Sequence, residues 1–187
     1  MPLKPRSFAA LLSLLAVTVI WGAPDSHAQD KPGNPALAEN KPQQPETVRK
    51  NTGIFDGLAN TALKAMESRA QELKVNGVAV VAYAEGDNVA SWSSKMLVVG
   101  HMVTSPSQND KGSNLLGIAY AKASEMAATL KDSGSGVRPP LTGEFGWQGG
   151  VVAKGKTGIL IAAFSGGRSE DDVKISKAGL GVLASSL

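Results

Sequence analysis

Apolar residues recur at three- and four-residue spacing through Leu58, Ala62, Ala65, Met66, Ala70 and Leu73, which predicts a helix with one buried face. Thr52 or Asp56 can cap its start, and Asn76-Gly77 can end it. The β-branched run Val78 to Tyr83 (VAVVAY), the turn residues Glu85-Gly86-Asp87-Asn88 and the run Val89 to Ser93 then predict a hairpin. Met96 to Val103 is a third extended candidate, and the polar stretch Ser105 to Ser113, with Pro106 and Gly112, reads as loop. Leu115, Ala119, Ala123, Met126, Ala127 and Leu130 fall on one face of a second helix, capped by Ser113. Lys131 to Trp147 (KDSGSGVRPPLTGEFGW) is a long irregular connection, a length often kept for function. Gly150 to Lys154 and Thr157 to Phe164 predict two strands joined at Gly155-Lys156. A last helix follows Ser165-Gly166-Gly167, with Ser169 as cap and Glu170, Asp171 and Asp172 at the positive end of its dipole. Val173, Ala178 and Leu180 to Leu183 give that helix its buried side. The order helix, strands, helix, strands, helix predicts an α+β domain, an antiparallel sheet with helices packed on it.

The first 28 residues follow a different pattern. Lys4 and Arg6 precede an uncharged run of 15 residues, Phe8 to Gly22, and small residues at Ser26 and Ala28 lead to Gln29. Positive, apolar and small-residue regions in that order predict a cleavable secretory signal over residues 1–28. The run is shorter than the roughly 20 residues a membrane span needs, and no later segment is apolar enough to span a bilayer. Residues 29–51, with four prolines and few large apolar groups, predict a flexible leader. The folded domain is expected over 52–187, with the mature protein periplasmic or secreted.

Removal of the signal leaves 159 of the 187 residues, enough for one domain. With no cysteine, disulfides, thiolate metal sites and cysteine nucleophiles are excluded. The formal charge of +3 becomes +2 once Lys4, Arg6 and Asp25 leave with the signal. A balance so near neutral, without a basic stripe interleaved with aromatics, gives no case for nucleic acid.

Three segments together resemble the GlcG/HbpS-like haem-binding family: Ile118 to Ala127 (IAYAKASEMA), Trp147 to Gly167 (WQGGVVAKGKTGILIAAFSGG) and Ser169 to Gly179 (SEDDVKISKAG). The resemblance covers roughly residues 55–185, and the order and spacing of the segments carry it. It implies a profilin-like domain, an antiparallel sheet flanked by helices, and an oligomer. It also implies haem or a related tetrapyrrole as ligand, with a role in haem or iron handling or beside an envelope sensor protein. The chain departs from the family at the first strand, which ends Ala82-Tyr83. It departs again at Ser93-Ser94-Lys95-Met96, where relatives carry an arginine and an aspartate.

His27 leaves with the signal, so His101 is the one histidine of the mature chain and the candidate axial ligand of haem iron, alone or with Met96, Met102 or Tyr83. Arg138, Lys95 and Arg168 are candidate partners for propionates, and Trp92 and Trp147 can stack on a macrocycle. Ser165-Gly166-Gly167 before a helix suggests an anion site, but three acids already occupy that end and no Walker or Rossmann spacing accompanies it. A Ser-His-Asp triad would have only His101 as base, and no nucleophile elbow surrounds any serine. Two readings stand beside haem binding: a cofactor-free interaction module docking a sensor or sister subunit, and a small enzyme using Glu144 or His101.

Overall fold

The computed structural model describes residues 46–187. The expected signal and most of the expected leader lie outside the described residues. The first helix, α1 (Glu46–Glu72), starts six residues before Thr52, so the last part of the expected leader and both expected caps are helical. It ends where Lys74 takes a left-handed conformation (φ 57°) and Val75 N–H returns to the carbonyl of Ala70 (2.9 Å), a helix stop that is usually left to glycine.

Strand β1 (Gly77–Glu85) and strand β2 (Ser93–Val99) pair antiparallel, from Gly77 opposite Val99 to Tyr83 opposite Ser93. The expected second and third strands are thus corrected to a single strand. Val89 to Trp92 belong to the connection, and the ladder runs through Met96 instead. Two-residue strands β3 (Val103–Thr104) and β4 (Ser113–Asn114) clip the ends of the expected loop together. Helix α2 (Leu115–Thr129) follows, capped not by Ser113 but by Asn114, whose side-chain oxygen accepts from Gly117 N–H at 3.0 Å. Strands β5 (Gly150–Lys154) and β6 (Gly158–Ser165) lie where the sequence pattern places them, as does α3 (Ser169–Ala184). Ser169 is its first helical residue and not its cap; Arg168 holds the cap position without a side-chain bond.

The four long strands form one antiparallel sheet in the order β2-β1-β6-β5. Side chains alternate across it. Ala79, Val81, Tyr83, Leu160, Ala162 and Phe164 face α1 and α3, against Phe55, Ala62, Met66, Ile175 and Leu183. Val78, Val80, Ala82, Ile159, Ile161 and Ala163 face α2, against Leu115, Ile118, Ala119, Ala123 and Met126. Both faces of the central pair are covered, which explains why β1 and β6 read as unbroken apolar runs. Small residues let the helices approach: a Cβ on Gly179 of α3 would overlap the Met66 side chain of α1.

The long connection between α2 and β5 is irregular but pinned at its ends. The Ser133 hydroxyl accepts from Gly150 N–H (2.8 Å), Glu125 accepts from Gly134 N–H (2.9 Å) and Asp132 from Val152 N–H (2.9 Å). No helix among the described residues is long and apolar enough to cross a membrane.

Candidate functional site

Two helices cover one face of the sheet, but α2 alone covers the other. The edge strand β2 is therefore left partly open on that side. By register, Met96 lies opposite Val80 on this face, with Ser94 and Val98 flanking it two residues away. Met96 and Trp92 are half-buried against the α2 layer, and α2 contributes the half-buried Leu116 and Tyr120. The Tyr120 and Ser94 hydroxyls meet at 3.2 Å across the gap. The result is an apolar shelf that runs along β2.

His101 stands just past the end of this shelf, exposed, with no hydrogen bond or ion pair to its imidazole among the described residues. Its neighbours are apolar and open to solvent: Val98 is 37% exposed, Met102 41% and Val103 54%. A cavity of about 410 Å³, lined by Val89, Trp92, Ser124 and Ala127, opens at the other end of β2. Met96 thus lies on the open face of β2, His101 and Met102 follow in the connection just past Val99, and the 410 Å³ cavity opens at the strand's other end.

The other expected ligands are placed elsewhere. Tyr83 points to the opposite face of the sheet from Met96, buried and stacked on Phe55 at 6.0 Å. Its hydroxyl hydrogen-bonds Thr157 (Oγ1 at 3.0 Å), and burial pushes the phenol up. A group so enclosed cannot share a ligand with Met96. Arg138 grips Glu144 through two hydrogen bonds of 2.7 and 2.8 Å within the long connection. That guanidinium, together with the Leu141 N–H, holds the Glu144 carboxyl down to about 2. The pair braces a turn that displays Val137, Leu141, Phe145 and Trp147 to solvent, with the two aromatic rings stacked at 4.8 Å. Lys95 reaches back to Asp56 of α1, and Arg168 to Asp171. Each expected propionate partner therefore already has a carboxylate. Glu144, engaged in this way, is poorly suited to proton transfer at neutral pH.

A second arrangement escaped the sequence reading. Lys122, one turn of α2 from both Ile118 and Met126, is buried with Asp172 of α3, their side chains 3% and 4% exposed. The ammonium donates to Asp172 Oδ2 and to the carbonyl of Phe164, each at 2.8 Å. Asp172 also accepts from Gly167 N–H at 2.8 Å. Burial pushes the Asp172 carboxyl up, against the pull of Lys122 and of the Gly166 and Gly167 amides. Gly149 makes room for the pair: at φ 137°, a Cβ there would fall on the lysine ammonium. The legible signal was a charge on an apolar helical stripe, where a buried partner is required.

No protein-family model matches the chain, and no curated protein matches it. Among the described residues no three His, Asp or Glu side chains are grouped to hold a metal ion.

Proposed function

We propose that the chain is an exported haem- or tetrapyrrole-binding protein, with the ligand lying along the β2 edge and His101 as the iron ligand. One observation carries this reading: the only histidine among the described residues is exposed and partnerless, at the end of an apolar shelf. A flat macrocycle needs such a surface, and imidazole supplies the bond that a porphyrin's iron takes most often. Met96 on the shelf and Met102 beside His101 in sequence are the candidates for a second, thioether ligand. The resemblance of Ile118 to Gly179 to the GlcG/HbpS-like family points the same way, and the first 28 residues support export. Bound haem would bring redox and ligand-binding chemistry to the shelf, while the chain supplies the apolar support and the imidazole. Tyr83 and Arg138 have no part in this site.

Titration of the protein with hemin, followed in the Soret region, tests the proposal. Wild type is expected to saturate at a defined stoichiometry with a shifted band, and His101→Ala to lose that band while keeping its fold. A wild-type spectrum indistinguishable from free hemin would overturn the reading.

A second reading has its own observation. The braced turn of the long connection presents Val137, Leu141, Phe145 and Trp147 together, an apolar surface of the kind found where proteins dock. A sister subunit or an envelope sensor would meet the domain there without any cofactor. A protein that stays colourless with hemin but co-purifies with an envelope partner, and loses it in Phe145→Ser, would favour that reading.

A further inference from the structure

The cleft above the Lys122–Asp172 pair has about 270 Å³ of room, near the lower end of small-ligand sites. Three features define what it can hold. Its floor carries Ser165, the last residue of β6, which is 4% exposed yet has no hydrogen-bond partner for its hydroxyl among the described residues. The hydroxyl oxygen itself is not sealed off and is reached from the cleft, where a ligand or water can bond it. One wall is Trp147, 51% exposed, whose indole offers a flat apolar plate. The remaining lining is rich in short polar groups from three separate elements: Thr104, Ser113, Ser169 and the carboxylate of Asp110.

Charge then narrows the ligand. Lys122 and Asp172 neutralise one another, so Asp110 is the one lining charge without an ion-pair partner among the described residues. A phosphate or carboxylate would face this carboxylate, with Glu170 close by in sequence at the start of α3, where Asp171 is already held by Arg168 and Lys174. A neutral molecule with many hydroxyls meets no such repulsion. Its hydroxyls can donate to Asp110 and exchange hydrogen bonds with Ser165 and Ser169, while a C–H face lies against the indole.

We propose that this cleft binds a neutral polyhydroxylated ring, a single sugar or cyclic polyol, between Trp147 and Ser165. The site is separate from the β2 shelf, and neither proposal depends on the other. The test is titration of the full chain with D-glucose, D-galactose, D-mannose and myo-inositol, read by amide and indole NMR. Saturable shifts are expected at Ser165, Gly166, Gly167, Ser169 and the Trp147 indole for at least one of these, with the Trp92 indole unmoved. Trp147→Ala and Ser165→Ala should each weaken that binding about three- to tenfold, the size expected for one stacking or hydrogen-bonding contact. Trp147 is at the surface, so its variant reports on binding even if Ser165→Ala disturbs the fold. Absence of saturable shifts up to about 100 mM of every ligand, weaker than ordinary specific binding, would overturn the proposal. So would tighter binding of glucuronate or inorganic phosphate than of any neutral ring.

Discussion

Replacing Lys122 by methionine keeps the length of the side chain and its packing between Ile118 and Met126, but removes the ammonium. Two acceptors then lose their donor: Asp172 Oδ2 and the carbonyl of Phe164, both at 2.8 Å in the wild type. The amides of Gly166 and Gly167 still support the carboxylate, but its charge stays buried without a counter-charge. Breaking one side of such a pair costs about 3–5 kcal/mol, and the orphaned carbonyl lies within that figure. Against a total stability of about 5–15 kcal/mol for a domain, the loss is large. The midpoint of urea unfolding should fall by about 2 M, taking a slope of about 2 kcal/mol/M. Adding Asp172→Asn should restore at least about 2 kcal/mol, because the second change removes the charge that the first exposed. The pH dependence has a definite sign. Burial raises the Asp172 carboxyl above its usual 3.8 in the folded state, and without Lys122 nothing cationic opposes that rise. Protonation therefore favours the folded variant: the favourable contribution is complete below 3.8 and is lost as pH climbs through the higher folded value. The deficit relative to wild type should thus shrink on acidification. A loss under about 1 kcal/mol, or a double variant no more stable than the single one, would refute a buried pair at this position.

Two further tests address the elements around it. Gly149→Ala places a methyl group on the lysine ammonium at a backbone angle that disfavours side chains, so thermal unfolding should come at least about 5 °C lower, as expected for a loss of about 2 kcal/mol; an unchanged midpoint would mean the backbone shifts freely there. The Glu144 carboxyl should titrate near 2 by carbon-detected NMR rather than near the usual 4.5. Because the folded value is the lower one, the contribution of this group to the folded loop is present above 4.5 and fades as pH falls towards 2. In Arg138→Met the midpoint should move back towards 4.5, and a midpoint that stays near 2 would remove the guanidinium as its cause.

Much of the fold could be read from residue pattern. The strands Gly150–Lys154 and Gly158–Ser165, the α2 stripe and the antiparallel α+β layering follow from apolar spacing and glycine turns. The errors have physical causes. Val89 to Trp92 looked like a strand because Val and Trp favour extended chain, but they pack on the α2 layer from a loop while Ser93 to Val99 pair with β1. The early start of α1 at Glu46 was hidden by the polar composition around it, since exposed helical turns need no apolar spacing. The ligand set was only partly legible. Alternation along β1 put Tyr83 on the face opposite Val80, but which face each helix covers emerges only when α1, α2 and α3 are assembled. Arg138 seemed free because its partner Glu144 meets it through a turn within an irregular segment. Lys122 was legible as an anomaly, a charge between Ile118 and Met126, whereas its partner is 50 residues away in sequence.

Placement of the ligand along β2 is open to one decisive comparison, hemin titration of wild type against Val98→Glu. Val98 is already 37% exposed, so a carboxylate there leaves the core intact while charging the surface a macrocycle would cover. If the shelf holds the ring, the variant binds hemin at least about tenfold more weakly, the equivalent of 1.4 kcal/mol, with His101 still in place. Superimposable binding curves for the two proteins would contradict that placement.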